Sequence, residues 1–404
     1  MKNKFAVGID IGGTTTKFGI VNNAGEIIEQ DRIPSNEHEV VEDFIDDLYT
    51  KLMPMIERAG GVKQFVGIGI GAPNGNIYTG TIEYAPNLKW KGIIPIADLV
   101  EKKFGLKTKL TNDANAAAVG EMMYGACKDM KHFITITLGT GVGSGIVIDG
   151  RIVVGHDGFA GELGHTIIRP GGRQHKSTGM HGSLESYASA TGVRETAIEM
   201  LTQHPEEPSL LRNYSINELT SESVYECAMQ GDNIANNIFE FTGQILGESL
   251  ANFVMFSSPA AIVLFGGLTK AGNLILNPTK KHMEANLLPI FQNKVKLIFS
   301  ELKESDAAIL GASALVWDMN ENKKKTRKGK KKKGGNPPEG GTPGGGQQEK
   351  RGPRPRGGNP AKKKKRIVFF SDNKYCRYRP LITFITRLNG FFSINQHATA
   401  AAAI

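Results

Sequence analysis

Two stretches of this chain repeat one unusual pattern: an apolar strand, a turn of glycine and threonine, and a returning apolar strand. The first runs Phe5-Ala-Val-Gly-Ile-Asp-Ile-Gly-Gly-Thr-Thr-Thr-Lys-Phe-Gly-Ile-Val21. The second is a strand over His132–Leu138, a Gly-rich turn over Gly139–Gly145 and a return over Ile146–Ile148. Period-two patterning around a tight turn reads as a hairpin. Two such units in one chain predict two related lobes facing a cleft.

The remaining segments fill out an α/β class. Ile27–Ile33 reads as a strand, and Glu39–Arg58 carries Val41, Phe44, Ile45, Leu48, Leu52, Met55 and Ile56 at helical spacing. Val66–Ile70, Lys107–Leu110, Ala261–Phe265 and Val295–Phe299 read as buried strands, Asn233–Phe256 as a long helix and Asp306–Met319 as a closing helix. Strands alternating with helices argue for α/β architecture.

Charge divides the chain in two. Residues 321–404 hold 22 Lys/Arg against 4 Asp/Glu, leaving 27 basic and 36 acidic residues in 1–320. The net +9 therefore averages an acidic body and a basic tail. The Lys, Pro, Gly and Gln of 323–366 cannot bury enough apolar surface to order themselves, so 321–404 is expected to be a disordered, low-complexity extension. Lys323–Lys333 and Lys362–Arg366 can contact nucleic acid non-specifically, but few aromatics are interleaved for base stacking. No apolar run reaches the ~20 residues that a membrane helix needs, and the opening residues lead directly into a strand rather than a secretory pattern. Cys127, Cys227 and Cys376 are too scattered for a disulfide framework. A cytoplasmic protein without a membrane partner is the expectation.

The two turns suit phosphate. In Asp10-Ile-Gly-Gly-Thr-Thr-Thr-Lys17, Gly12 and Gly13 permit positive φ and close backbone approach, Thr14 and Thr15 add donors, and Lys17 adds charge. Asp10 at the strand end can hold hydrated Mg²⁺ on nucleotide phosphates. A plain hairpin turn is the competing reading. Gly139, Thr140 and Gly141 offer the same chemistry on the second unit, and Gly266-Gly267 offers backbone to a flat ligand such as adenine, with Gly311-Ala312 beside it.

Together these pieces resemble the ROK family of bacterial sugar kinases and regulators, and within it the glucokinases. The matching segments, in family order over roughly 1–320, are Asp10-Ile-Gly-Gly-Thr, Gly67-Ile-Gly-Ile-Gly-Ala-Pro73, Ala85-Pro-Asn-Leu88, Thr111-Asn-Asp-Ala-Asn115, Leu138-Gly-Thr-Gly-Val-Gly143, Gly161-Glu-Leu-Gly-His165 and Gly266-Gly267. The resemblance implies an actin-like ATPase fold of two lobes with a central cleft: 1–111 with a closing helix over 305–320, and 112–304. It implies ATP and Mg²⁺ as cofactors, a homodimer, and phosphoryl transfer to a hexose hydroxyl, most simply glucose to glucose 6-phosphate. Family sugar ligands map onto Asn87, Asn112, Glu162, His165 and Glu185, and the family base onto Asp113.

The residue types suit that chemistry. Hydroxyls that both donate and accept call for amides and carboxylates rather than an apolar slot. Asp113 opens a helical run, Ala114–Glu121, whose N-terminus is expected to stabilise the ionised carboxylate. The alternative is that Asn112 or Asp113 only caps that helix. Glu162 and His165, three apart, share a face on a helical turn. Nothing in the residues themselves selects glucose over an N-acetylhexosamine or fructose. Sugar-responsive repressors of the family carry a helix-turn-helix ahead of the body, and with the first turn beginning at Asp10 none is expected here.

One departure stands out. Many members of the resembled family hold a structural zinc with the histidine of Gly-Glu-x-Gly-His and three cysteines. Counted back from Leu184-Glu185, the cysteine positions are Lys176, Thr178 and Ser183, so no structural zinc is expected. His175 and His181 offer a different site with His165, at a spacing matching no template. Ser183 is expected to cap the helix bearing Glu185 instead.

Overall fold

The computed structural model describes residues 4–303 and 306–317. They belong to the first of two units into which the chain divides, Met1–Asn336; the second is Pro337–Ile404. The basic extension expected over 321–404 lies outside the described residues.

The chain opens with β1 (Phe5–Ile11), β2 (Thr15–Asn22) and β3 (Ile27–Pro34), an antiparallel meander, then α1 (Val41–Arg58) and β4 (Phe65–Ala72). The seven apolar residues that define the stripe of α1 are all buried. Short strands β5 (Gly75–Asn76), β6 (Thr81–Glu83) and β7 (Ile93–Ile94) form a small sheet of their own. Helix α2 (Ile96–Phe104) returns the chain to β8 (Thr108–Asn112), and the first large sheet has the order β3-β2-β1-β4-β8. Strands β1, β4 and β8 are parallel neighbours.

Helix α3 (Asp113–Tyr124) leads into β9 (Phe133–Leu138), β10 (Val142–Ile148) and β11 (Arg151–Ile152), a second meander. After α4 (Glu185–Ala188), α5 (Ala190–Gln203), α6 (Ser221–Met229) and α7 (Asn233–Ser257) come β12 (Ala261–Phe265), α8 (Asn273–Ala285) and β13 (Lys296–Phe299). The second sheet has the order β11-β10-β9-β12-β13, with β9, β12 and β13 parallel. Three strands in an antiparallel meander followed by two parallel to its inner strand, in matching order, make the sheets copies of one plan. The paired glycine turns predict two related units, and the arrangement is the actin-like one that the family resemblance implies.

A last helix, α9 (residues 306–317), lies on the first sheet. Its approach depends on glycine. A Cβ at Gly8 of β1 would overlap the carbonyl oxygen of Ile309, and one at Gly69 of β4 would overlap that of Ala312. Such contact removes a larger apolar area from water than a full-sized strand residue would allow, at ~25 cal/mol per Å². Helix α3 packs on both sheets by the same device: an added Cβ at Gly71 of β4 would sit 3.2 Å from Ala116 Cβ, and one at Gly143 of β10 would sit 2.9 Å from Ala114 Cβ. The residues that open α3 are therefore held between the sheets.

Several elements gave no clear sequence signal. Strands β5, β6 and β7 have two or three residues each, too few to show a period. Helix α8 carries Pro278 in its interior, which breaks a helical reading. Among the described residues no helix is long and apolar enough to cross a membrane.

Candidate functional site

The first glycine turn closes the β1–β2 hairpin. Asp10 and Lys17 face each other across it, and Gly12 N donates to Thr15 O at 3.1 Å. Neither Gly12 nor Gly13 has a positive φ, contrary to expectation. They are required for space: a Cβ at Gly12 would stand 2.9 Å from Thr15 O, and one at Gly13 would stand 2.8 Å from Asn87 O. The turn therefore lies directly against Asn87, whose side chain is exposed. Thr14 is exposed and Thr15 half-buried; the Thr14 carbonyl accepts from Ser35 N at 2.8 Å.

At the end of β8, Asn112 caps α3, its Oδ1 accepting from Ala114 N at 2.9 Å and Asn115 N at 3.4 Å. The capping reading is thus correct for Asn112, and it leaves the amide NH₂ free of that duty. Asp113 is the first helical residue, and its Oδ1 accepts from Ala114 N at 2.8 Å. Gly71 pairs with Asp10 in the parallel register, and a Cβ there would lie 3.6 Å from Asp113 Cα and 3.8 Å from Asp10 Oδ1. Asp10 and Asp113 are neighbours across one glycine.

That proximity perturbs both carboxyls. Asp10 is pushed up to about 7, first by burial and then by the charge of Asp113, with Lys17 pulling the other way. Asp113 is also raised, by burial, against the backbone hydrogen bonds that lower it. The expectation that the helix N-terminus would set its ionisation is overturned: removal from water outweighs the helix amides. Asp113 is nonetheless an exposed residue by its accessible surface, so its carboxyl is crowded by protein while still open to solvent, and the upward push is smaller than full burial would give.

The second turn joins β9 to β10. Gly139 N donates to Gly141 O at 3.0 Å, and no atom lies within 4 Å of where a Gly139 side chain would begin. Helix α5 holds this turn from behind, with Ala190 N donating to Gly139 O at 2.9 Å and Thr191 Oγ1 to Thr140 O at 3.0 Å. Glu185, first residue of α4, accepts from Val142 N at 2.7 Å through Oε2, and a Cβ at Gly141 would stand 2.5 Å from that oxygen. The second turn is built against Glu185 as the first is against Asn87.

Glu162 and His165 flank a single 3₁₀ turn, with His165 Nε2 3.8 Å from Glu162 Oε2. Glu162 is raised by burial, opposed by His165, and raised further by the charges of Asp113 and Glu185. Asp10, Asp113, Glu162, His165 and Glu185 thus form one electrostatic group between the sheets. Two side-chain atoms there are buried without a partner among the described residues: His165 Nδ1 and Asn115 Oδ1. Asn115, 3% exposed, enters the sequence reading only as the last residue of the Thr111–Asn115 motif. Its position two residues after Asp113, at the start of a helix, was the available signal.

Gly266 has φ +106, and a Cβ there would stand 2.6 Å from Leu138 O, so this glycine adjoins the strand that enters the second turn. Gly267 opens a 3₁₀ turn. Gly311 has its nearest neighbours elsewhere. It packs on α3, where a Cβ would stand 2.5 Å from Ala116 O, so clearance between two helices requires it.

The segment expected to lack zinc ligands is held by other contacts. Lys176 pairs with Glu195 at 2.9 Å, and Thr178 Oγ1 lies 2.9 Å from His175 Nδ1. Ser183 does not cap α4: the N-cap is Leu184, without a side-chain bond, and Ser183 Oγ meets Ser186 Oγ at 2.8 Å. These side chains are uncharged hydroxyls and an ammonium, so they do not fit a zinc ion. His175 turns to Glu185 (Nε2 to Oε1, 2.9 Å), while His181 Nδ1 lies 3.2 Å from Gly172 O. No cluster of three metal-ligating side chains exists among the described residues.

Two sheets of one plan, each presenting a glycine turn to a shared group of carboxylates, define a two-lobed actin-like fold with a polar site between its sheets. The chain belongs to the ROK family, whose sequence pattern matches residues 6–319. It is 36% identical over 329 residues to a glucokinase of Halalkalibacterium halodurans, covering 80% of this chain and 98% of that protein. It is 31% identical over 312 residues to a putative xylose repressor of a Caldicellulosiruptor species, covering 77% of each. Among solved structures, a ROK family glucokinase from Streptomyces griseus in complex with glucose and AMPPNP shares 30% identity and a TM-score of 0.65, over 77% of this chain and 98% of that one.

Proposed function

We propose that this chain is an ATP-dependent sugar kinase that transfers a phosphoryl group to a hexose hydroxyl, converting glucose to glucose 6-phosphate, with Asp113 as the base. The observation that carries the reading is the placement of Asp113, directly across Gly71 from Asp10 at one glycine turn and close enough to Glu162 and Glu185 on the facing segment to share one electrostatic group. The glucokinase relative, matched over 98% of its length, supports the same reading.

The residues divide by chemistry. Asn87, Asn112, Glu162, His165 and Glu185 supply the donors and acceptors a hexose needs, and a sugar lacking one hydroxyl leaves one of them unpaired. Gly12, Gly13, Thr14, Thr15 and Lys17, with Gly139, Thr140 and Gly141, offer backbone N–H groups, hydroxyls and charge to the phosphates, while Gly266 and Gly267 offer backbone to adenine. Asp10 suits Mg²⁺: a positive ion beside it relieves both the burial and the repulsion from Asp113 that hold its carboxyl near 7. Bound there through water, the ion would supply charge neutralisation on the phosphates.

In the reaction the sugar O–H bond breaks, an O–P bond forms to the terminal phosphorus, and the bond to the bridging oxygen of ADP breaks. Asp113 orients the hydroxyl and takes its proton late, as the loose transition state of phosphoryl transfer allows. Its raised pKa makes it a better acceptor than an ordinary carboxylate. We take 1–111 with the closing helix 305–320 as one lobe and 112–304 as the other, so that Asp113 begins the second where it meets the first.

The test is an ADP-release assay over glucose, N-acetylhexosamines and fructose, with Asp113→Asn alongside. The wild type should turn over glucose best, and the variant should bind sugar yet lose kcat by more than ~10²-fold. Turnover of the variant within tenfold of wild type would move the base elsewhere. Sugar binding by the wild type without any turnover would instead favour a sugar-responsive regulator.

A further inference from the structure

One side chain ties the segment before Glu185 to the helices behind it. Arg173 is 11% exposed, and its guanidinium has five N–H donors. All five are used. Nε and Nη2 reach Glu199 at 2.8 and 2.6 Å, Nη1 reaches Ser186 O at 2.7 Å and Gly192 O at 3.0 Å, and Nη2 also reaches Thr196 Oγ1 at 3.0 Å. The guanidinium carbon lies 4.6 Å from the centre of the Tyr187 ring, and Arg173 N takes the Tyr187 hydroxyl as acceptor at 2.8 Å.

Two residues further on stands His175. Its backbone N donates to Met180 O at 2.7 Å, fixing the bend that aims the ring. Nε2 lies 2.9 Å from Glu185 Oε1, and Nδ1 lies 2.9 Å from Thr178 Oγ1. A carboxylate only accepts, so Nε2 carries the bonding proton, while Nδ1 is flanked by the Thr178 hydroxyl and, at 3.3 Å, the Ser177 hydroxyl. Glu185 is thereby held at both oxygens, by His175 on one side and by Val142 N beside the second glycine turn on the other. Without His175, one anchor remains and the carboxylate is free to swing.

We propose that His175 is a positioning residue for Glu185, anchored by Arg173 and oriented by Thr178, so that this hydrogen-bonded segment does the work of a metal-held one. The inference rests on the reading of the site as a sugar kinase. Lys176, Thr178 and Ser183 are turned to Glu195, His175 and Ser186, and this network is what occupies their place.

Steady-state kinetics with His175→Ala, His175→Gln and Thr178→Val test it. The alanine variant should raise the KM for glucose about tenfold, leaving the KM for ATP unchanged and kcat within about threefold. Glutamine, which can place an amide N–H where Nε2 stands, should recover most of the loss. Thr178→Val, which leaves the ring but frees its orientation, should raise the glucose KM about threefold, and it serves if the alanine variant does not fold. An unchanged glucose KM in the folded variants, an equal rise in both KM values, or glutamine no better than alanine would overturn the proposal. So would stoichiometric zinc in the purified wild type. A wild type that turns over no hexose would defeat the kinase reading itself and this inference with it, whereas an active wild type with indifferent variants defeats only the inference.

Discussion

Asp10 and Asp113 sit on either side of Gly71, and the charge of Asp113 helps burial push the Asp10 carboxyl up to about 7. A group with that pKa changes charge in the range where the protein would work. In the free protein kcat/KM for ATP should therefore fall about tenfold per pH unit below about 7, since the protonated carboxyl attracts no Mg²⁺. Asp10→Asn should lower the rate and flatten this limb. A wild-type profile level from pH 8 to pH 5 would show that Asp10 is not required in its ionised form.

The same shift makes a prediction about stability. A carboxyl raised from 3.8 to about 7 on folding binds its proton more tightly in the native state. Its contribution is fully present below about pH 4 and is lost as pH rises through 7. Ligand-free protein should lose this increment of stability between pH 4 and pH 7, and Asp10→Asn should not. Denaturant titrations of both proteins across that range, compared as a difference, measure it. Equal pH dependence would assign the Asp10 shift no part in stability.

Gly141 suits a phosphate contact by its place in the turn, but its nearest neighbour is a carboxylate: a Cβ there would stand 2.5 Å from Glu185 Oε2. Gly141→Ala should displace Glu185 and raise the KM for sugar at least as much as the KM for ATP. A rise confined to ATP would show that the glycine serves the nucleotide alone.

How far the sequence reached can be judged from such positions. The two meanders were legible because their strands are long, apolar and punctuated by glycine, and the α1 stripe because its seven apolar residues keep strict helical spacing. The identity of the site residues came from motif order, and the structure gathers Asp10, Asp113, Glu162, His165 and Glu185 into one group. Their electrostatics were not legible. A helix N-terminus beside Asp113 can be read from spacing, but the protein crowding that opposes it depends on how two sheets close around α3. The roles of Gly12, Gly13 and Gly311 were equally hidden, because a glycine needed for clearance and one needed for φ look the same in a sequence. Arg173 gave no signal, since all its acceptors but Glu199 and Thr196 are backbone carbonyls.

Clearance glycines also predict stability. A Cβ at Gly69 would overlap the carbonyl oxygen of Ala312, which belongs to the backbone of α9 and cannot rotate away. Gly69→Ala should lift α9 from the first sheet and cost about 1–3 kcal/mol or more, as overpacking does. Gly105→Ala, with open space around it but φ +67, gives the comparison: backbone strain alone, of about 1 kcal/mol. Chemical denaturation that finds Gly69→Ala the milder of the two would remove the packing argument.

Arg173 offers the sharpest stability test, because charge and geometry can be separated there. Lysine at this position keeps the positive charge near Glu199 but cannot reach the Ser186 and Gly192 carbonyls and Thr196 from one ammonium, nor lay a planar face on Tyr187. If the five-way bonding holds the segment, Arg173→Lys should cost about 1–3 kcal/mol, close to Arg173→Ala, since the Ser186 carbonyl loses its guanidinium donor, whereas the Gly192 carbonyl still accepts from Thr196 Oγ1 at 2.9 Å. If the ion pair with Glu199 dominates, lysine should recover most of the loss, although that partner is 49% exposed and such pairs contribute little. Urea denaturation of the two variants at unchanged m-value separates these outcomes, and stability of Arg173→Lys near wild type would show that charge, not the fork, anchors the segment that carries His175.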